Sequence, residues 1–383
     1  MAAPDTIRDA AGNGEPTKGG FMDRRTFLKT GATTLATASL ARPLTAIGAE
    51  TSGGTKWRTF EVRSRLEIIQ PSGATRGWVP LPLMPDTDYQ KSLGQSWTGN
   101  ASVMRVFRDE KYGTGIFYAE WPAGEAAPAV EVTTRFATRD RAVDLGTPGN
   151  PAPEDKAVLK KYLGGTKFIP TDGIVRKQAQ EVTKGAATDV DKARAVYEWI
   201  VENTFRDPKV RGCGLGDIKA LLETGYLGGK CADLNALFVG MVRSVGVPAR
   251  DVYGVRVVES AEYKSLGRGG DISKGQHCRA EFYSAAYGWV PVDPADVRKL
   301  VLEENGGTPL SDPKIQKARA KLFGGWEMNW LAYNYAADIK LPNSPGDQIA
   351  FFMYPQAETA NERRDSLDPE AVKYKLTSRE ILG

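Results

Sequence analysis

The sequence predicts an α+β protein in which strands and helices are segregated along the chain instead of alternating. Three observations carry this. Residues 56–140 hold short alternating runs broken by turn residues. Residues 155–246 hold apolar positions repeating at spacings of three and four. Residues 275–294 return to two short runs rich in aromatic and β-branched residues.

The first β region is expected over residues 56–145. Trp57–Arg63 and Leu66–Ile69 alternate, and Pro71-Ser72-Gly73 reads as a turn before Gly77–Pro82. Gly115–Trp121 and Val130–Phe136 are further strands, so a β-sandwich of about six strands is expected. No ionisable cluster is evident in it. A Pro/Gly-rich stretch from Gly146 to Pro153 marks its end.

Helices are predicted over Asp155–Leu163, Ile174–Thr183, Val190–Val201 and Ile218–Glu223. A further helix opens at Cys231. Leu234, Leu237, Phe238, Met241 and Val242 form one apolar face, stopped by Gly246 and Pro248. Cys231 therefore falls in the first helical turn, where unpaired N–H groups and the dipole favour an anion. Those amides also suit a developing oxyanion. A cysteine in an apolar helix is by itself more often structural. The glycines before it, Gly228 and Gly229, and the segments after it favour a nucleophile.

The chain has one histidine, His277, so a thiol–imidazole pair has a single candidate base. His277 lies near the start of the run Gly275–Tyr283, and Asp293 near the end of the run Gly288–Pro294. Ser284–Gly288 reads as the turn joining them as an antiparallel pair. Asp293 would then lie near His277 and fix its tautomer. Alternation puts Arg279 and Glu281 on the His277 face and Cys278 on the other. Arg279 is read as a substrate-carboxylate ligand, or as a cation opposing imidazolium formation, with Glu281 neutralising it.

The segment resembles the transglutaminase-like superfamily, a papain-like group. The resemblance rests on Gly229, Cys231 and Asp233 opening a helix, on Gly246-Val247-Pro248-Ala249-Arg250 ending it, on His277, and on Gly288-Trp289 with Asp293-Pro294. It covers roughly residues 170–300. It implies a papain-like catalytic core behind an N-terminal β-sandwich, with Cys231, His277 and Asp293 catalytic. It also implies an oxyanion donor upstream of the cysteine, for which Asn203 and Tyr226 are the candidates. The chain departs from the family's common His-x-Trp pattern by placing Arg279 two residues after the histidine. The implied reaction is acyl transfer at a peptide or protein amide, with hydrolysis (protease or amidase) ahead of protein-glutamine transamidation. A catalytically silent periplasmic binding or scaffold protein is the alternative.

Cys213 lies in a glycine-rich loop eighteen positions before Cys231. Three thiols and one imidazole show no Cys-x-x-Cys spacing, so no metal or cofactor is expected. A Cys213–Cys278 disulfide is compatible with an oxidising compartment and is left open.

Asp23–Lys29 resembles a twin-arginine export signal, followed by a modestly apolar run from Gly31 to Leu40. Residues 1–50 are thus an export region, and a periplasmic or secreted protein is expected. Met22 reads as the natural start, ahead of the signal. Lys and Arg total 51 against 47 Asp and Glu, a net charge of +4 with no basic run, so nucleic acid is not an expected partner. No segment approaches eighteen apolar residues, so stable membrane insertion of the mature chain is not expected. Residues 155–300 form the expected catalytic region. Residues 301–383 are an aromatic-rich extension packed on the core, with a cleft-lining role left open.

Overall fold

The computed structural model describes residues 56–382. The export region and the start at Met22 lie outside them. The described residues belong to one compact unit, and its layers are built from segments distant in sequence.

Arg58–Ile68 is a single 11-residue strand, where the sequence suggested two runs. Ser64 and Arg65 continue the pairing, facing Val132 and Glu131 on one side and Leu376 and Lys375 on the other. This strand is central in an antiparallel sheet ordered Gly270–Asp271, Val372–Ile381, Arg58–Ile68, Ala129–Thr138, Gln90–Gly99. A second sheet runs Glu362–Arg364, Gln356–Thr359, Thr75–Pro80, Gly115–Trp121, Val103–Arg108. Leu66, Val130 and Val132 of the first share a core with Val79, Phe117 and Trp121 of the second. Gln90–Gly99 and Val103–Arg108 are edge strands with largely exposed or half-exposed residues. An edge strand needs little apolar pattern, so the sequence did not reveal these two.

The β layer does contain an ionisable cluster, contrary to expectation. Glu61 is buried and pairs with Arg63 at 3.3 Å, Arg135 at 2.9 Å and Arg379 at 2.8 Å. Arg135 and Arg379 arrive from the two strands flanking Glu61, an assembly that local sequence cannot display.

The second half is built on a four-stranded antiparallel sheet ordered Gly288–Val292, Gln276–Ser284, Ala249–Arg256, Trp330–Asn334. The helix Cys231–Ser244 packs against it. Every residue from Cys231 to Arg243 is buried, so the helix is enclosed all round, where the sequence suggested one apolar face. It ends as a Schellman motif: Gly246, at φ +87°, donates to Arg243, and Val247 donates to Val242. The last segment supplies strands to all three of these sheets. Trp326, Trp330 and Tyr333 are buried in packing, whereas Tyr354 reaches a cleft.

Two helices were not foreseen, Pro294–Glu303 and Pro313–Lys321. Each follows an Asp-Pro pair, which reads locally as a turn. Here Asp293 and Asp312 are N-caps and the prolines open the helices, where a missing N–H has no cost.

Candidate active site

Cys231 begins its helix directly after the short strand Gly228–Gly229, which pairs in parallel with Phe205–Arg206. Asp233 fixes the geometry. Its Oδ2 accepts from the Lys230 N–H at 2.9 Å, and its Oδ1 accepts from Leu215 and Gly216 at 3.0 and 2.9 Å. One carboxylate thus caps the helix and pins the Cys213 loop across its first turn. Gly214, at φ +95°, makes room for this; a Cβ there would sit 1.9 Å from Asp233 Oδ2.

The loop and the N-cap carbonyl take up first-turn donors that the sequence left free. Ala232 donates to the Cys213 carbonyl, and Asp233 and Leu234 donate to Lys230. Among the described residues this leaves the Cys231 N–H as the first-turn amide without an acceptor. Its geometry suits one oxyanion hydrogen bond where several were expected.

His277 stands on the strand paired to Ala249–Arg256, opposite Gly254. Its Nε2 lies 2.7 Å from Asp293 Oδ2 and 3.5 Å from Asp296 Oδ1. Asp293 lies just past the neighbouring strand, where it is also the helix N-cap: its Oδ1 accepts from the Asp296 N–H at 3.1 Å and from Asn235 Nδ2 at 3.2 Å. With Nε2 held by Asp293, Nδ1 is the ring nitrogen available to the Cys231 thiol, with which His277 interacts.

Asn235 was missed by sequence reading. It lies four residues after Cys231 and therefore on the same helix face. It donates to Cys278 O at 2.8 Å as well as to Asp293, and a polar side chain in this apolar helix was the available signal. Asp296 and Arg256 were also missed; they pair at 2.5 Å. By spacing, His277, Asp293 and Asp296 form a group that would accommodate a cation. Its atoms are already engaged with one another and with Arg256, so the group is balanced as a hydrogen-bonded cluster.

The three cysteines are free and buried. The Cys213 and Cys278 thiols lie beside Cys231, and with His277 they outweigh burial and hold the Cys231 thiol well below its usual range, while Cys213 Sγ itself donates to Gln276 O at 3.3 Å. Cys231 itself, with burial, pushes the Cys213 thiol up, and burial does the same for Cys278, so both stay protonated beside Cys231. Strand alternation does put Cys278 opposite His277, but the helix start lies close enough to receive both. For His277, burial and Arg256 favour the neutral ring. Asp296 and Asp293 outweigh them, so its pKa is raised. Burial, with Asp296 beside it, raises Asp293, against the pull of His277.

Three expected ligands lie elsewhere. Arg279 is buried, with its pKa held down to about 10 chiefly by burial; it donates to Glu327 O at 2.9 Å and stacks over Trp330. Packing behind the histidine, not exposure beside it, decides its role. Asn203 is exposed at its helix end and donates to Trp199 O. Tyr226 is 54 % exposed, with its hydroxyl on Asp207 and its ring against Phe205. Neither lines the cleft that holds Cys231. Glu281 does not neutralise Arg279; its partners are Arg250, at 2.6 Å, and Arg141.

Cys231 and His277 line a cleft of about 1290 Å³. This volume exceeds that of a typical small-molecule pocket and admits an extended chain.

A family model described as the transglutaminase-like superfamily matches residues 176–294. An uncharacterized protein of Haemophilus influenzae is 34% identical over 345 residues, covering 84% of this chain and 91% of that protein. Among solved structures, a candidate cysteine protease from Cytophaga hutchinsonii has a TM-score of 0.48 at 16% identity, covering 85% of this chain and 99% of that one. The periplasmic domain of TgpA from Pseudomonas aeruginosa has a TM-score of 0.33 at 14% identity, covering 70% and 93% respectively. With its ordered cysteine, histidine and aspartate around one helix start, the chain belongs to the transglutaminase-like superfamily.

Proposed function

We propose that this protein is a cysteine-dependent hydrolase of peptide or amide bonds that acts outside the cytoplasm. The observation that carries the reading is that Cys231, at its helix start, and His277, held by Asp293 at 2.7 Å, line one cleft. The thiolate adds to the amide carbonyl, forming a C–S bond. The negative charge moves to the carbonyl oxygen, which the Cys231 N–H receives. His277, protonated through Nδ1, gives its proton to the leaving nitrogen as the C–N bond breaks. Neutral His277 then takes a proton from water as the oxygen attacks the acyl-enzyme. Collapse breaks the C–S bond and returns the thiolate, the imidazolium and the carboxylic acid product, which gives its proton to solvent as it leaves. Asp293 keeps Nε2 protonated throughout and balances the imidazolium charge.

Export rests on Arg24-Arg25 and the apolar run that follows. Among the described residues no helix is long and apolar enough to cross a membrane.

The first test is the alkylation of each cysteine by iodoacetamide from about pH 5 to about pH 9, against a reference thiol pKa of about 8.5. Selective labelling of Cys231 well below that reference, reduced in His277→Ala, is expected. A Cys231 that stays inert, or reacts identically without His277, would return the protein to the silent binding reading.

A further inference from the structure

The sequence placed substrate-carboxylate recognition on Arg279, which the fold buries away from the cleft. The cleft itself is nonetheless strongly cationic. Among the described residues that line it, nine are lysine or arginine and three are glutamate, in a chain of net charge +4. Several of these cations already have partners: Arg256 holds Asp296, and Arg206 and Lys299 share Glu303. Lys230, Lys264, Arg268 and Lys274 are in none of the salt bridges among the described residues. Three of them sit on one connection, residues 257–275, between the strand Ala249–Arg256 and the strand that begins one residue before His277. Lys264, Arg268 and Lys274 are exposed there, and Lys230 adjoins Cys231.

Unpaired cations around a concave, partly apolar site focus potential on its interior and favour an anionic occupant. Their distribution narrows its type. A phosphate is held by donors converging on one point, often bidentate arginines. Here three of the four unpaired groups are lysine ammoniums and one is an arginine, so bidentate convergence is not offered and single carboxylates are suited. Ser366 Oγ, buried at the cleft lining, has no partner among the described residues and offers a further hydrogen bond.

We propose that the cleft recognises acidic peptides, with Lys230, Lys264, Arg268 and Lys274 receiving carboxylate side chains on either side of the bond that faces Cys231. This rests on the hydrolase reading for the bond broken, but not for the binding itself.

The test uses the full chain as Cys231→Ala and isothermal titration with acetyl-Ala-Glu-Ala-Glu-Ala-amide and its Gln counterpart. At about 0.01 M salt, where screening extends to about 30 Å, the Glu peptide should bind at least about tenfold tighter; at about 0.1 M the gap should shrink. Adding Lys264→Gln, Arg268→Gln and Lys274→Gln should bring the two peptides within about twofold of each other. In the chain that retains Cys231, the same triple substitution should leave iodoacetamide labelling of Cys231 in place, which shows an intact site. Equal affinities, no measurable binding of either peptide, or a Glu preference that survives the triple substitution each overturn the proposal. An unactivated Cys231 beside a retained Glu preference overturns the hydrolase reading and leaves the acidic-peptide site standing.

Discussion

The two ends of the strand Gln276–Ser284 carry buried charge to opposite effect. At one end His277 meets Asp293 and Asp296. At the other, Glu281 meets Arg250 and Arg141, with Arg250 stacked at 3.8 Å on both Trp289 and Tyr335. Both clusters are sealed from solvent on most sides. At the Glu281 end every strong acceptor has a cationic partner and the shell is aromatic, so the carboxylate stays ionised below its usual range despite burial. At the His277 end one ring nitrogen has no partner within the cluster and faces a thiol in a cleft. Burying charge is common to both; leaving one valence open toward a cavity distinguishes the end proposed to be reactive.

Substitutions separate the two ends. The largest expected effect is from Cys231→Ala, which should remove turnover altogether, at least about 10⁴-fold, while thermal unfolding changes little. Asp293→Asn comes next. An amide offers its NH₂ to Nε2, flips the tautomer and puts a ring N–H toward the thiol, so kcat should fall by about 10³- to 10⁴-fold. Its mirror at the other end is Glu281→Gln, which strands two buried guanidinium groups and should cost roughly 3–5 kcal/mol of stability in urea unfolding. Labelling of Cys231 in its folded fraction should be unchanged. If Glu281→Gln abolished thiol reactivity, or Asp293→Asn merely destabilised, the division between the ends would not hold.

Gly214→Ala sharpens the picture at the helix start. It places a methyl against Asp233 at a positive φ, so a loss of roughly 2–4 kcal/mol is expected. Slower Cys231 alkylation should accompany it, because the loop that sets Cys213 beside Cys231 is displaced.

The smallest effect is a pH dependence of stability. The folded His277 pKa is raised above its unfolded value of about 6.5, so its contribution is full below that pH and is lost as pH rises through the folded value. The melting advantage of the parent over His277→Gln should be greatest on the acid side and shrink as pH rises. An advantage growing with pH would mean that Arg256 and burial dominate over the two aspartates.

Much of the site was legible because its signals are local. A first-turn cysteine after two glycines, a lone histidine at a strand start and an aspartate before proline are each visible within a few residues. The helices up to residue 244 follow the apolar spacing closely. Glu281 shows the limit: its alternation with Arg279 was real, but Arg141 lies 140 positions away and nothing local names it as the partner. Asn203 and Tyr226 failed for the same reason, since proximity in sequence to the cysteine loop did not bring them to the cleft.

The sequence by itself determined the helix that presents Cys231 and the strand pair that carries His277 to Asp293. These follow from backbone periodicity and turn chemistry, which act over a few residues. Tertiary structure decided which charges are satisfied and which face the cleft. It buried Arg279 on Trp330, set Cys213 and Cys278 against the thiol, and wove residues 356–381 into the N-terminal sheets. Ion pairing and burial depend on groups brought together across hundreds of residues, and the hydrophobic cores of these sheets, not any local motif, set those distances.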